Sequence, residues 1–342
     1  MSLDLSPYLD AIEADLHDVL TPVDGPAALL YRMMQYHLGW LDAALAPTEA
    51  PRGKRLRPLM CLLACEAADG RWRTALPAAS AIELVHNFSL VHDDIEDNSE
   101  TRRHRATVWS LWGVPQAINT GDAMWSIARL TCHRLTALGH PPESVLRLMA
   151  ILDQACLELC TGQYLDLSFE TRDTVSLADY MRMIGGKTAA LLSASLGAGA
   201  VLAGAADATV ACYQACGREL GLAFQITDDI LGIWGDPAVT GKSAASDVLA
   251  RKKTLPILYA LAWEHDARGY DLARLFARPS LSEEDVPAVL AVLDGAGARA
   301  YAEERAREHI DRALRHLDES GGRGPAQVAL RELAQSLVGR RT

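Results

Sequence analysis

Two acidic clusters carry the residues most able to do chemistry. Asp93, Asp94 and Asp97 lie in VHDDIED at 91–97. On a helix Asp93 and Asp97 share one face, with Asp94 beside them. Three carboxylates within about 6 Å repel one another, so the grouping is costly unless a cation neutralises it. Oxygen donors without His or Cys select a hard ion such as Mg²⁺, which keeps water and reaches phosphate oxygens. Asp228 and Asp229 follow Gln225 in QITDD near the end of a second apolar run. One such cluster is most simply a solvated helix face. Two of them, each closing an apolar segment, suit a multi-ion clamp on a diphosphate, with the clusters facing across the mouth of a bundle cavity.

Cations recur around these carboxylates. Lys54, Arg55 and Arg57 fall in GKRLRP, and Arg102-Arg103 follow Asp97. Lys187-Thr188 open a small-residue run, Lys242 follows a glycine, and Arg251-Lys252-Lys253-Thr254 precede another apolar segment. Arginine matches phosphate bidentately and lysine supplies a compact charge. Any one group alone reads as a surface patch. Their alternation with acidic clusters fits two diphosphates, one held through metal ions and one held directly.

The elements that must position these groups read as helices. Of 342 residues, 49% are hydrophobic and only 6% aromatic, with Ala and Leu abundant, a composition that favours helix over sheet. Apolar residues recur with helical period over Ala78 to Asp97, Pro115 to Ala137, Glu143 to Phe169 and Ala208 to Trp234. Three further amphipathic helices follow from about Ser280. The expected fold class is all-α: a single large bundle of long helices around a central cavity, one domain spanning 1–342.

A net charge of −11 argues against nucleic acid as the partner, while local basic clusters still admit a small anion. Seven cysteines, three pairs of them at i, i+4 spacing and none in CxxC, read as buried thiols of a reducing cytoplasm. The acidic N-terminus lacks the apolar core of a secretory signal. The apolar run Ala189 to Ala208 is rich in Ala, Gly and Ser. It reads as a buried central helix that lets neighbours approach closely, not as a membrane span.

Six ordered motifs resemble the trans-prenyl diphosphate synthases, the polyprenyl synthetase family. They are GKRLRP at 53–58, HNFSLVHDDIEDNSETRR at 86–103, GQYLDL at 162–167, GGKT at 185–188, FQITDDILGIWGD at 224–236 and KKTLP at 252–256, with GD at 121–122 among them. The resemblance implies condensation of isopentenyl diphosphate with an allylic diphosphate, three Mg²⁺ ions, and a homodimer. It makes Asp93 and Asp97 ligands of two Mg²⁺ with Asp94 in support, and Asp228, with Asp229 beside it, the site of a third. Lys187, Gln225, Lys242 and Arg102 would steady the allylic diphosphate. Lys54, Arg57, His86 and Arg103 would hold isopentenyl diphosphate, with Lys252 nearby on the allylic side, and Thr188 would orient the reacting carbons.

Two positions depart from the family pattern. Gly232 stands where the second cluster usually ends in Asp, which weakens support around Asp228. His104 replaces the Gly that commonly follows the Arg pair, which alters the loop. Phe88 and Ser89, one turn before Asp93, would line the product tunnel, and this pattern resembles short-chain synthases. A C20 product, geranylgeranyl diphosphate, is favoured, with C15 farnesyl diphosphate close behind. The alternative is that Phe88 is core packing and Met124 or Trp125 sets the tunnel floor. A class I terpene cyclase is a rival, but it needs no second diphosphate site. A non-catalytic partner subunit could lose its first Asp cluster, which is intact here. A di-metal carboxylate bundle needs two Glu-x-x-His motifs, and only Glu83 to His86 has that spacing.

Overall fold

The computed structural model describes residues 3–48, 53–236, 245–266, 271–278 and 280–338; Lys242 lies outside them. The elements in chain order are α1 (Ser6–Val19), α2 (Ala28–His37), α3 (Leu56–Ala67), α4 (Leu76–Glu96), α5 (Val108–Trp112), α6 (Val114–Ala137), α7 (Pro142–Thr171), α8 (Leu177–Ile184), α9 (Ala190–Leu202), α10 (Asp207–Trp234), α11 (Ser246–Leu249), α12 (Leu255–Asp266), α13 (Asp271–Phe276), α14 (Val286–Gly295), α15 (Ala298–Glu319) and α16 (Gly324–Val338). The four long helices read from periodicity are α4, α6, α7 and α10, and the three C-terminal ones are α14 to α16. One small hairpin, β1 (Thr101–Arg102) paired with β2 (Arg105–Ala106), interrupts the all-α pattern.

The chain forms two compact units. The first holds residues up to Cys156 together with Ala194–Gln214 and Ser320–Leu330; the second holds Leu157–Ser193, Ala215–Glu319 and the chain from Arg331.

In the first unit α4 is the central helix. Pro77 starts it and an almost unbroken run from Pro77 to Val85 is buried, so that stretch packs on every side. A buried polar knot fixes its neighbours: Ser80 donates to Asp15 of α1 at 2.6 Å, and Arg134 of α6 pairs with the same carboxylate at 2.7 Å. The helix ends at Glu96, with Asp97, the last residue of the acidic cluster, as its cap. Asn98 takes a left-handed φ of 52°, and the amides of Asn98 and Ser99 donate back to the carbonyls of Ile95 and Asp94. This is the Schellman closure that Asn tolerates. The small-residue helix α9 lies against α3 without any span for a bilayer. A side chain at Gly199 would overlap the Cys61 carbonyl, and no helix of the described residues is long and apolar enough to cross a membrane.

The second unit packs Phe169, Tyr180, Met183, Ile226, Ile230, Leu255 and Leu258 into one core with Ala302 and Ala306 of α15. Glycines set how closely its helices meet. A side chain at Gly162 would overlap the backbone nitrogen of Lys187, and one at Gly186 would overlap the Glu158 carbonyl. Between α8 and α9 the chain makes one π-helical turn, Gly185–Ala189, a wide turn of the kind often found at functional sites.

Five of the seven cysteines are buried, as expected, but Cys160 is exposed and Cys212 half-buried. Burial pushes the thiols of Cys65 and Cys216 up to about 12, which keeps them protonated and unreactive.

Candidate active site

In the first unit the end of α4 delivers the first acidic cluster. Asp93 is half-buried, Asp97 exposed and Asp94 buried. Arg102 on the hairpin holds two of them at once, with Nε donating to Asp94 at 2.7 Å and Nη2 to Asp93 at 3.3 Å. Burial lifts the Asp94 carboxyl to about 6, against the pull of Arg102. Among the described residues its Oδ2 has no hydrogen-bond partner, an orphaned acceptor that a cation or its water shell would satisfy.

The three cations of GKRLRP have different roles. Lys54 is exposed. Arg55 is buried, clamped between Glu13 at 2.5 Å and Glu83 at 2.7 Å, so it serves the fold. Arg57 donates to His86 Nε2 across 3.2 Å. Burial, then the charges of Arg57, Arg103 and Arg102, hold the His86 ring well below its usual range and neutral. With Nε2 accepting, Nδ1 carries the proton. The Arg103 guanidinium lies against Gly53, where a Cβ would sit 3.1 Å from Nη2. Arg57, His86 and Arg103 thus gather around the Gly53 loop. A small pocket lies alongside, lined by His37, Asp94, Arg102, Arg103 and Arg105. Glu83 is taken by Arg55 and Asn87, so Glu83 and His86 form no Glu-x-x-His metal site.

In the second unit a small cavity is lined by Asp166, Lys187, Gln225, Asp229, Lys252 and Tyr180, among others. Lys187, on the π turn, pairs with Asp166 at 2.5 Å. Thr188 donates to Gln225 Oε1 at 2.7 Å, and Gln225 Nε2 donates to Asp229 at 3.1 Å. Asp229 is completed by the Tyr180 hydroxyl at 2.6 Å and the Leu255 amide at 3.1 Å. Both its oxygens are engaged by protein groups inside the core. Asp229 is therefore an anchor for Gln225 rather than the open ligand its motif suggests, whereas Asp228 is half-exposed. Burial pushes the Asp229 carboxyl up, opposed by Lys252 and by these hydrogen bonds. Of the neighbouring cations, Lys253 donates to the carbonyls of Phe169 and Arg172 and Arg251 to that of Phe276. They close the ends of their neighbours, while Lys252 lines the same cavity and its charge acts on Asp229.

Among the described residues no three His, Cys, Asp or Glu side chains converge on a metal position by themselves. Mg²⁺ does not require that: it takes one or two carboxylates and completes its octahedron with water and substrate phosphate. The all-carboxylate donor set and the orphaned Asp94 oxygen fit such an ion.

Phe88 is buried, its ring 5.6 Å from that of Trp125 and 5.7 Å from that of His92. Ser89 turns its hydroxyl onto the His86 carbonyl at 2.8 Å. Gly121 of the GD motif is required by packing, since a side chain there would overlap the His92 ring. Two site residues had no role assigned from sequence. Asp166 stands inside the GQYLDL motif and was findable there; Tyr180 lies in no motif.

Acidic residues paired to basic ones thus recur in two separate places on a helical scaffold. The sequence profile described as Polyprenyl synthetase matches residues 39–293. Two proteins of Mycobacterium tuberculosis are similar over almost their whole length. A (2E,6E)-farnesyl diphosphate synthase is 39% identical over 333 residues, 95% of this chain and 91% of that protein. A geranylgeranyl diphosphate synthase is 40% identical over 327 residues, 95% and 92%. The crystal structure of a polyprenyl synthetase from Streptomyces coelicolor A3(2) superposes with a TM-score of 0.85 at 36% identity, covering 97% of this chain and 98% of that one. This chain belongs to the polyprenyl synthetase family.

Proposed function

We propose that the protein is a Mg²⁺-dependent short-chain trans-prenyltransferase, joining isopentenyl diphosphate head-to-tail to an allylic diphosphate. The observation that carries this reading is the second-unit cavity, where Lys187 and Lys252 are set against Asp166 and Asp229 and beside Gln225. That alternation of charge holds cations in place for a polyanion without collapsing the site.

Asp93, Asp97 and Asp228 would hold the three Mg²⁺ ions. Bound Mg²⁺ would neutralise the charge that grows on the departing diphosphate. Lys187 and Lys252 add fixed positive charge to the same group. Thr188 and Gln225, tied to each other and to Asp229, would keep the allylic carbon aligned with its attacker. Arg57, neutral His86 and Arg103, with Lys54 at the surface, suit the second diphosphate, which remains intact. That second group of cations favours a synthase over a terpene cyclase. No protein base is assigned, and the released diphosphate takes the final proton.

The mycobacterial farnesyl and geranylgeranyl synthases are equally similar to this chain, so product length rests on Phe88. With Ser89 as its small neighbour, C20 is favoured over C15. We extend the reading to a cytoplasmic homodimer. Seven cysteines without a disulfide suit a reducing compartment. Leu157 and Tyr164, seven residues apart on one face of α7, are 62% and 68% exposed, an apolar pair suited to a second copy.

Purified protein incubated with Mg²⁺, labelled isopentenyl diphosphate and each allylic diphosphate in turn tests this. A C20 or C15 product supports it. Cyclic hydrocarbon from a long allylic substrate alone, with isopentenyl diphosphate untouched, would replace it with the cyclase.

A further inference from the structure

The hairpin of β1 and β2 is a very short ladder, with Arg102 paired to Arg105 and Thr101 to Ala106. A two-stranded hairpin is marginal by itself, and the turn of this one runs through two left-handed residues, Arg103 and His104. Yet it carries Arg102 to Asp93 and Asp94 and Arg103 to the Gly53 loop. The end of α2 holds it in place. The Arg105 guanidinium donates to the Tyr36 carbonyl at 3.0 Å and to the Leu41 carbonyl at 2.6 Å. It also lies over the Tyr36 ring, 4.2 Å from the centroid. In return the Tyr36 hydroxyl donates to the Ala106 carbonyl at 2.6 Å. Burial pushes that hydroxyl up, against the pull of Arg105, so it stays protonated and can donate. The ring itself is buried and packs edge-on against Trp112 of α5, which makes it a firm platform.

Arg105 lines the same small pocket as Arg102 and Arg103, but both ends of its fork are engaged by backbone carbonyls. We propose that Arg105, locked to Tyr36, is a positioning residue: it fixes the hairpin so that Arg102 and Arg103 each meet one diphosphate. This rests on the diphosphate reading above and adds to it a residue that lies in none of the six motifs. The lock depends on shape as much as on charge. A lysine at 105 keeps the charge but has no planar fork to span two carbonyls and stack on the ring.

The test uses the full chain as wild type, Arg105→Leu, Arg105→Lys and Tyr36→Phe. Equilibrium binding of labelled isopentenyl diphosphate without Mg²⁺ gives an affinity independent of turnover. Steady-state kinetics give kcat and the two KM values, and the unliganded thermal midpoint reports folding separately. In Arg105→Leu the Kd and KM for isopentenyl diphosphate and the KM for the allylic diphosphate should each rise about tenfold, as when other supporting groups are lost. At saturation kcat should stay within about threefold, the pattern of lost binding rather than lost chemistry. Arg105→Lys should resemble Arg105→Leu, and Tyr36→Phe should shift the same three constants in the same direction. Wild-type constants in Arg105→Lys would show that charge alone matters and overturn the proposal. A lowered midpoint with unchanged Kd and KM in Arg105→Leu would also overturn it, leaving the lock to the fold alone. If the wild type neither binds nor consumes isopentenyl diphosphate, the diphosphate reading itself fails and takes this proposal with it.

Discussion

The Tyr180 hydroxyl donates to the Asp229 carboxylate across 2.6 Å, and both groups are buried. This bond sits at the root of a chain that runs through Gln225 to Thr188. Tyr180→Phe keeps the ring and deletes the donor, leaving Asp229 with the Leu255 amide and Gln225. A buried acceptor that loses a partner costs about 1–3 kcal/mol, and that loss should appear in urea denaturation. Because Gln225 and Thr188 then lose their reference point, kcat should fall roughly tenfold while KM for isopentenyl diphosphate stays unchanged, as for supporting groups elsewhere. Equal stability and equal kcat in the variant would remove Tyr180 from the site.

The hairpin that carries Arg102 turns through Arg103 at φ 51° and His104 at φ 62°. Two successive left-handed residues make a type I′ turn, for which Asn and Gly are preferred. Residues other than Gly in this region carry strain of about 1–2 kcal/mol. His104→Gly should relieve it, less the entropy that Gly adds to the unfolded chain, for a net gain of about 0.5–1 kcal/mol in urea denaturation. Substrate affinity should be unchanged, since no contact of Arg103 is altered. A destabilised variant would mean that the His104 side chain holds the turn.

Much of this was legible in the chain. Long apolar periods marked α4, α6, α7 and α10 because each buries a broad face, and the motif residues lie on or beside those helices. The functions of adjacent charges were not legible. Lys54, Arg55 and Arg57 read alike, but burial between Glu13 and Glu83 makes Arg55 structural. Asp228 and Asp229 read as a pair, although adjacent helix positions point about 100° apart, so only one remains accessible. The approach of the Asp247 carboxylate to Gly232 was not legible either, because what fills the place of a missing side chain is a tertiary fact.

His37 titrates in the opposite sense to its neighbour Asp94. Burial, then the charges of Arg102, Arg103, Arg105 and Arg55, lower the His37 ring from 6.5 to about 3, and its Nε2 has no partner among the described residues. Between pH 3 and 6.5 the unfolded chain binds this proton and the folded one does not, so stability rises with pH. The contribution is whole above pH 6.5 and is lost as pH falls. Asp94, raised to about 6, is stabilising below its unfolded value and loses that contribution as pH rises toward 6. In His37→Asn the Asp94 effect remains and the histidine effect is gone. The stability of wild type relative to the variant should therefore fall by at most about 1.4 kcal/mol per pH unit below pH 6.5. A pH-independent difference between the two proteins would show that His37 is protonated normally in the fold.

Phe88 and Trp125 compete as the floor of the product tunnel, and their rings touch at 5.6 Å. Phe88 lies on α4 five residues before Asp93, so its reach from the acidic cluster is somewhat more than one helical turn of about 5.4 Å per added unit. If its ring stops the chain, Phe88→Leu should lengthen the main product by one C5 unit, and Ser89→Phe, one residue nearer the cluster, should shorten it to C15. Leucine is the better probe because Phe→Ala in a packed core costs about 3–5 kcal/mol and would confuse length with unfolding. If instead Trp125→Leu lengthens the product while Phe88→Leu leaves it unchanged, α6 forms the floor and Phe88 is packing alone. Sizing labelled products from the three variants, each at matched thermal midpoint, separates the two arrangements.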